Sequence, residues 1–251
     1  MTEILFSTTG PVARLKLNTP ARHNAMTRDG VECFLQHLDW LEGQSQIRVL
    51  LVTGSGERTF CSGASLKQIR TGEMSGELFE TLTDRLAALP LPKLAAMNGS
   101  AYGGGVEIGL CCDFRIGVRG MTALVPAARF GLCYPPNGIQ RFVRTLGPGT
   151  AKRLLVAAEH FDTDQLLRAG YLHRVTDAEK LAAEADAWAA QIATRAPLAV
   201  RAMLSACDLA VGPDWDADRV RNWMEQCNAS ADLQEGLQAA AEKREPEFRG
   251  R

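Results

Sequence analysis

The chain has almost no net charge, no long apolar run and no paired-cysteine motif. Lys plus Arg number 28 and Asp plus Glu 29 among 251 residues, a formal charge of −1. So even a balance supplies no global field drawing the protein to nucleic acid or to an acidic membrane, and neither partner is expected. No window approaches the ~18 unbroken apolar residues of a membrane span. Met1–Phe6 carry no basic segment followed by an apolar stretch, so no secretory leader is expected. The seven cysteines (Cys33, Cys61, Cys111, Cys112, Cys133, Cys207 and Cys227) are odd in number and include no C-x-x-C. That speaks against a disulfide framework or a zinc site. It predicts reduced, mostly buried thiols in a cytoplasmic protein with no structural metal.

Other chemistries are missing too. His23, His37, His160 and His173 are scattered, without H-E-x-x-H, and G-x-S-x-G is absent. No Gly-Lys pair exists, so there is no Walker A loop. Gly54-Ser55-Gly56 follows an apolar run, but Thr59 stands where G-x-G-x-x-G requires glycine, so a tight turn is the better reading. There is no low-complexity tract and no solenoid repeat.

What is present reads as α/β. With 46% apolar and 23% charged residues, the chain can bury a full core. Ile4–Ser7 and Val12–Leu17 predict a hairpin, and Val31, Phe34, Leu35, Leu38 and Leu41 a helix over Arg28–Glu42. Ile47–Thr53 suits a strand buried on both faces. A helix around Leu78–Leu89, stopped by prolines, precedes a strand over Lys93–Met97. Asn98–Gly105 reads as a Gly-rich turn and Val106–Cys112 as a short helix; Asp113–Val118 and Ala123–Val125 read as strands. This alternation predicts parallel strands with helical layers. Farther on, Ile139, Phe142, Val143 and Leu146 form a stripe ended by Gly147 and Pro148. Asp162 and Gln165 suit a capping box, with Gly170 ending its helix. Helices are also expected over Ala178–Thr194, from Pro197, and over Asp214–Cys227 and Asp232–Arg244. The division is an α/β core over 1–190 and a helical region over 191–251.

Two stretches invite a ligand. Gly103-Gly104-Gly105 lie between a strand and a helix carrying Glu107, and could expose N–H groups to an oxyanion. The same glycines would equally serve a tight helix–strand crossing. Phe60–Lys67 is a second small-residue loop that could aim another N–H at the same oxygen.

Five segments in order resemble the crotonase superfamily, the enoyl-CoA hydratase/isomerase family. They are Asn18-Thr19-Pro20 with Asn24-Ala25-Met26; Phe60–Lys67; Asn98-Gly99 with Gly103–Glu107 and Cys112-Asp113; Gly138–Arg141 with Gly147; and Glu235-Gly236 with Glu242-Lys243-Arg244, Pro246 and Phe248. The resemblance covers nearly the whole chain. It implies a crotonase-like α/β core of ββα units with a helical C-terminal region, and an enzyme acting on an acyl-CoA thioester. CoA would arrive as part of the substrate, with no separate cofactor. Ala64 and Gly104 match the two residues whose N–H groups hold the thioester oxygen. Arg22, Asn24, Ala25, Met26, Leu66 and Lys67 match the CoA-binding surface, Lys67 facing the phosphates. Lys243 matches a basic residue that reaches CoA, often from a neighbouring subunit of a homotrimer or dimer of trimers. On charge alone, Lys67 and Lys243 would be read as solvated surface residues.

The pattern breaks at one place. Glu107 matches the first catalytic carboxylate, but Ala127 stands in the P-E-x-x-x-G segment where the second belongs, and Tyr134-Pro135-Pro136-Asn137-Gly138 replaces P-G-x-G-G. A methyl group transfers no proton, and losing a positioned acid or base costs ~10²–10⁴-fold. Glu107 itself could instead be a structural carboxylate at a helix start. Gly131–Tyr134 resembles the superfamily's methylmalonyl-CoA decarboxylases, where a tyrosine lies by the substrate carboxylate, although that group has His at position 64. Three readings follow: a nominal hydratase/isomerase, a decarboxylase-like lyase using Tyr134, and a non-catalytic acyl-CoA binder.

Overall fold

The computed structural model describes residues 2–212 and 214–251. Strands β1 (Ile4–Thr9) and β2 (Val12–Leu17) pair antiparallel from Ile4↔Leu17 to Thr9↔Val12. Helix α1 (Arg28–Glu42) starts where the Thr27 hydroxyl accepts the Gly30 N–H at 3.1 Å, and it buries Val31, Phe34, Leu38 and Leu41. Then come β3 (Val49–Gly54), β4 (Thr59–Cys61), α2 (Leu66–Thr71) and α3 (Gly76–Ala88). They are followed by β5 (Lys93–Met97), β6 (Ser100–Tyr102) and α4 (Gly104–Leu110), then by β7 (Phe114–Val118), β8 (Thr122–Leu124) and α5 (Pro136–Leu155). The chain closes with β9 (Phe161–Asp162), α6 (Thr163–Arg168), β10 (Arg174–Thr176), α7 (Leu181–Ala193), α8 (Pro197–Ala210), α9 (Ala217–Asn228) and α10 (Ala231–Glu242).

Two sheets result. The larger runs β1-β2-β3-β5-β7-β10 and is parallel from β2 onward; the smaller runs β4-β6-β8-β9, its first three strands parallel. Three times a strand of the larger sheet is followed by one of the smaller and then by a helix: β3-β4-α2, β5-β6-α4 and β7-β8-α5. This is the expected ββα repeat. Every residue of β5, and all but Thr53 of β3, is buried, as interior parallel strands require. Helix α7 packs on β2, β3, β5 and β7, with Ala185, Ala189 and Ala193 buried. Helices α8 and α9 pack on each other and bury no residue fully, while α10 packs on α9. Among the described residues no helix is long and apolar enough to cross a membrane.

Several expectations are corrected. Asn98–Gly105 is not all turn: it contains β6, and α4 begins at Gly104 and ends at Leu110 rather than spanning Val106–Cys112. Strands β4, β9 and β10, two or three residues each, are too short to leave an alternation in sequence. Gly147 interrupts α5 with φ 74° and ψ 159°, but the helix resumes at once, because proline at 148 needs no N–H partner in a first turn. Helix α9 begins at Ala217 rather than Asp214, where the Asp216 carboxylate accepts the N–H groups of Asp218 and Arg219. Cys61, Cys111 and Cys112 are buried, but Cys133 and Cys207 are exposed, so the thiols are not mostly buried. The Asp162–Gln165 capping box forms as expected.

Candidate active site

Because β4, β6 and β8 are parallel neighbours, their C-terminal ends share one edge of the small sheet, with Cys61 opposite Ala101 and Tyr102 opposite Leu124. The loops that follow them therefore converge, and they carry residues 62–65, 103–104 and 125–127. In the first loop Gly63 adopts φ +80°, and a Cβ there would lie 2.7 Å from the Gly104 nitrogen, so only glycine lets the two loops approach this closely. Ala64 forms a parallel bridge with Met26: the Met26 N–H donates to the Gly63 carbonyl at 2.8 Å, and the Ser65 N–H to the Met26 carbonyl at 2.8 Å. In that pairing the N–H of Ala64 points away from Met26. Among the described residues no carbonyl or side chain accepts from it, nor from the N–H of Gly104, the first residue of α4. The Phe79 ring from α3 lies over Gly104, where an added Cβ would meet it at 2.4 Å.

The other half of the site is built from side chains. Glu107, on α4, is 3% exposed. The Arg141 guanidinium, from α5, donates through Nη1 to its Oε1, stands 3.3 Å from the Thr83 hydroxyl, and donates through Nη2 to Asp84. The Asn137 amide also donates to Asp84, at 2.7 Å. The hydroxyls of Thr83 and Tyr134 lie beside the Glu107 carboxyl. Burial pushes that carboxyl above its ordinary range, and the Arg141 charge and these donors pull it back. Burial, and then the charge of Glu107, push the Tyr134 phenol well up, so it stays protonated. The Tyr134 ring packs edge-on against Phe142, centroids 5.5 Å apart. At Gly138 a Cβ would lie 2.8 Å from that ring and 3.0 Å from Glu107 Oε1, so only glycine leaves room for the pair. Ala127 is buried in a short 3-10 turn, Ala127–Phe130, and offers only a methyl group.

The remaining candidates separate. Leu66 and Lys67, in the first turn of α2, are exposed directly after Ala64. Arg22 is exposed and paired to Glu3. Asn24 is 1% exposed, and its side chain is spent inward: it donates to the carbonyls of Ser55 and Thr59, at 3.0 and 2.7 Å, and accepts the Thr19 N–H at 3.0 Å. It shapes the loop and presents no side-chain group outward. Ala25 is half-buried, and Met26 is buried behind Ala64. Lys243 is the left-handed C-cap of α10, and no hydrogen bond or ion pair ties it to the Ala64 loop. Sequence reasoning missed Thr83, Asp84 and Phe79, which arrive from α3, far away in the chain. Arg141 was visible as part of a motif, but nothing in the sequence said what it touches. Among the described residues no group of three or more His, Cys, Asp or Glu is spaced to hold a metal ion.

A cavity of about 710 Å³ lies elsewhere, lined by Arg14, Arg48, Asp186 and Phe248 among others. Both its arginines are already engaged, Arg14 by Asp186 and Arg48 by the carbonyls of Ala193 and Phe248.

Two unpartnered N–H groups at adjoining loops can polarise one carbonyl oxygen, and a nearby carboxyl can exchange a proton with the carbon beside it. A family model described as enoyl-CoA hydratase/isomerase matches residues 7–251. The chain is 31% identical over 246 residues to the crotonyl-CoA hydratase of Syntrophomonas wolfei, covering 94% of each. It is 33% identical over 260 aligned positions to the carnitinyl-CoA dehydratase of Proteus mirabilis, covering 98% of this chain and 97% of that one. The solved enoyl-CoA hydratase of Bacillus anthracis superposes with a TM-score of 0.89 at 30% identity, over 99% of this chain and all of that one. A two-sheet fold of ββα units and a family match spanning nearly every residue agree: the chain belongs to the enoyl-CoA hydratase/isomerase family of the crotonase superfamily.

Proposed function

We propose that the chain forms and reprotonates the enolate of an acyl-CoA thioester, and that its pocket favours decarboxylation of an α-carboxyacyl-CoA. The N–H groups of Ala64 and Gly104 hold the thioester oxygen. The bond from C2 to the carboxylate breaks, its electron pair passes into the enolate, and carbon dioxide leaves. C2 then takes a proton from the pair Glu107 and Tyr134. Arg22, Asn24, Ala25, Met26, Leu66 and Lys67 supply the CoA-binding surface, Asn24 by the loop it shapes, with Lys67 toward the phosphates. Lys243 reaches CoA from a neighbouring subunit of a trimer or dimer of trimers. CoA is part of the substrate and no separate cofactor takes part.

One observation carries the choice of reaction. Glu107 lies in the first turn of the helix that Gly104 begins, Arg141 already occupies one of its oxygens, and position 127 presents a methyl group. In the family that the chain resembles, hydration uses two carboxylates to activate a water and deliver a proton, whereas decarboxylation needs enolate stabilisation and one proton. The second reading, hydration of a short enoyl-CoA, is favoured by the likeness to a crotonyl-CoA hydratase. Incubation with methylmalonyl-CoA, crotonyl-CoA and 3-hydroxybutyryl-CoA, followed by mass spectrometry, separates the two. Propionyl-CoA from the first, reduced by Tyr134→Phe, is the expected result. Interconversion of the other two alone supports hydration, and CoA-ester binding without any product makes the chain a non-catalytic binder.

A further inference from the structure

The Glu107 carboxylate is held by a charge that neither its loop nor its helix provides. Arg141 reaches it from α5, one turn beyond Gly138, and the glycine leaves the space through which the two side chains meet. The guanidinium is itself fixed from behind. Its second amino group is bound to Asp84, which the Asn137 amide holds in turn, and its side chain is 13% exposed. The planar fork sets two donors on separate nitrogens at a fixed spread, one for each carboxylate; a lysine ammonium, with its donors on one nitrogen, does not match that geometry.

We propose that Arg141, braced by Asp84, is the positioning residue of Glu107: it grips Oε1 and sets how tightly the carboxyl holds its proton during turnover. Arg141 touches no reacting atom and acts through Glu107, so the proposal rests on the reading of Glu107 as the proton-transfer group. Burial alone favours the neutral acid and the guanidinium beside it opposes that, so the two together set how readily the carboxyl gives its proton to C2 and takes one back. Arg141 also fixes the direction of the carboxyl plane, which side-chain torsions would otherwise leave free.

The test does not require the natural substrate. With 13C-labelled glutamate, the Glu107 carboxyl resonance is assigned by its loss in Glu107→Gln and titrated in wild type, Arg141→Lys and Arg141→Gln. The midpoint is expected to rise by about one pH unit or more in Arg141→Gln, a tenfold gain in proton affinity, with Arg141→Lys between the two. In parallel, exchange of the C2 hydrogens of propionyl-CoA in D2O is followed against pH, and its acidic limb should move by the same amount while the KM stays within about threefold. An unchanged midpoint in folded Arg141→Gln overturns the proposal. If that variant does not fold, the wild type decides: the Arg141 guanidinium 15N resonances must inflect at the Glu107 midpoint, and their indifference to it overturns the proposal. A shifted midpoint without propionyl-CoA exchange would leave the clamp standing and count against the enolate reading.

Discussion

The two halves of the site are made of different material. The donor half, Gly63-Ala64 with Gly103-Gly104, consists of backbone, and its geometry follows from parallel strands ending at one edge with small residues after them. The acid half consists of side chains from three helices, with Glu107 on α4, Thr83 and Asp84 on α3, and Arg141 on α5. A backbone donor survives most substitutions of its own residue, since every residue except proline has an N–H. A side-chain acid disappears with a single change, and position 127 carries only a methyl group. Chemistry within such a scaffold is therefore expected to diverge on the acid half while the donor half persists.

That contrast can be broken in graded ways. The largest effect is expected at Glu107: Glu107→Gln should cut turnover on a confirmed substrate by ~10²–10⁴-fold, measured as kcat, because no second carboxyl substitutes for it. Full turnover would reduce Glu107 to a structural carboxylate. Next, Ala64→Pro deletes one donor outright and should cost ~10²–10³-fold, whereas Ala64→Ser, which keeps the N–H, should cost far less. Equal losses in both would mean that the side chain matters and not the backbone. Third, Gly138→Ala drives a Cβ against the Tyr134 ring and Glu107, and overpacking should cost ~1–3 kcal/mol in denaturant unfolding. Gly149, in the same helix, has nothing within 4 Å of its added Cβ, so Gly149→Ala should be neutral or stabilise by about 0.4–1 kcal/mol. Smallest, Lys67→Glu should weaken CoA binding roughly fivefold at low salt and hardly at all at high salt, as an exposed charge contact does. Unchanged affinity at every ionic strength would make Lys67 ordinary surface charge.

The same division governs what could be read from the chain beforehand. The fold was legible where periodicity runs long, as in α1 over Arg28–Glu42, and where prolines precede a short strand, as in β5 over Lys93–Met97. It was illegible in β4, β6, β9 and β10, where two or three residues pair because of their neighbours. Small residues and glycines leave a local mark, so the loops of Ala64 and Gly104 stood out as candidates, and the resemblance, not the spacing, singled out those two positions. Arg141 grasping Glu107 across 34 positions leaves none, since that contact depends on how α4 and α5 pack. At Asn24 a motif position matched to ligand surface also has an internal task that the sequence did not disclose: its buried amide holds the Ser55 and Thr59 carbonyls.

The proposed decarboxylation makes Glu107, Arg141 and Tyr134 a working set in their own right, and not a hydratase site lacking one group. Ala127→Glu tests it most directly, by the rate of crotonyl-CoA hydration in the variant against the wild type. A carboxylate placed at position 127 must find an attacking water, an unclamped partner in Glu107 and a loop that accommodates it, and Tyr134-Pro135-Pro136 stand where the resemblance implies P-G-x. The account predicts hydration within about twofold of the wild-type rate in a folded variant. A gain of ~10²-fold or more, the worth of a positioned acid or base, would contradict it.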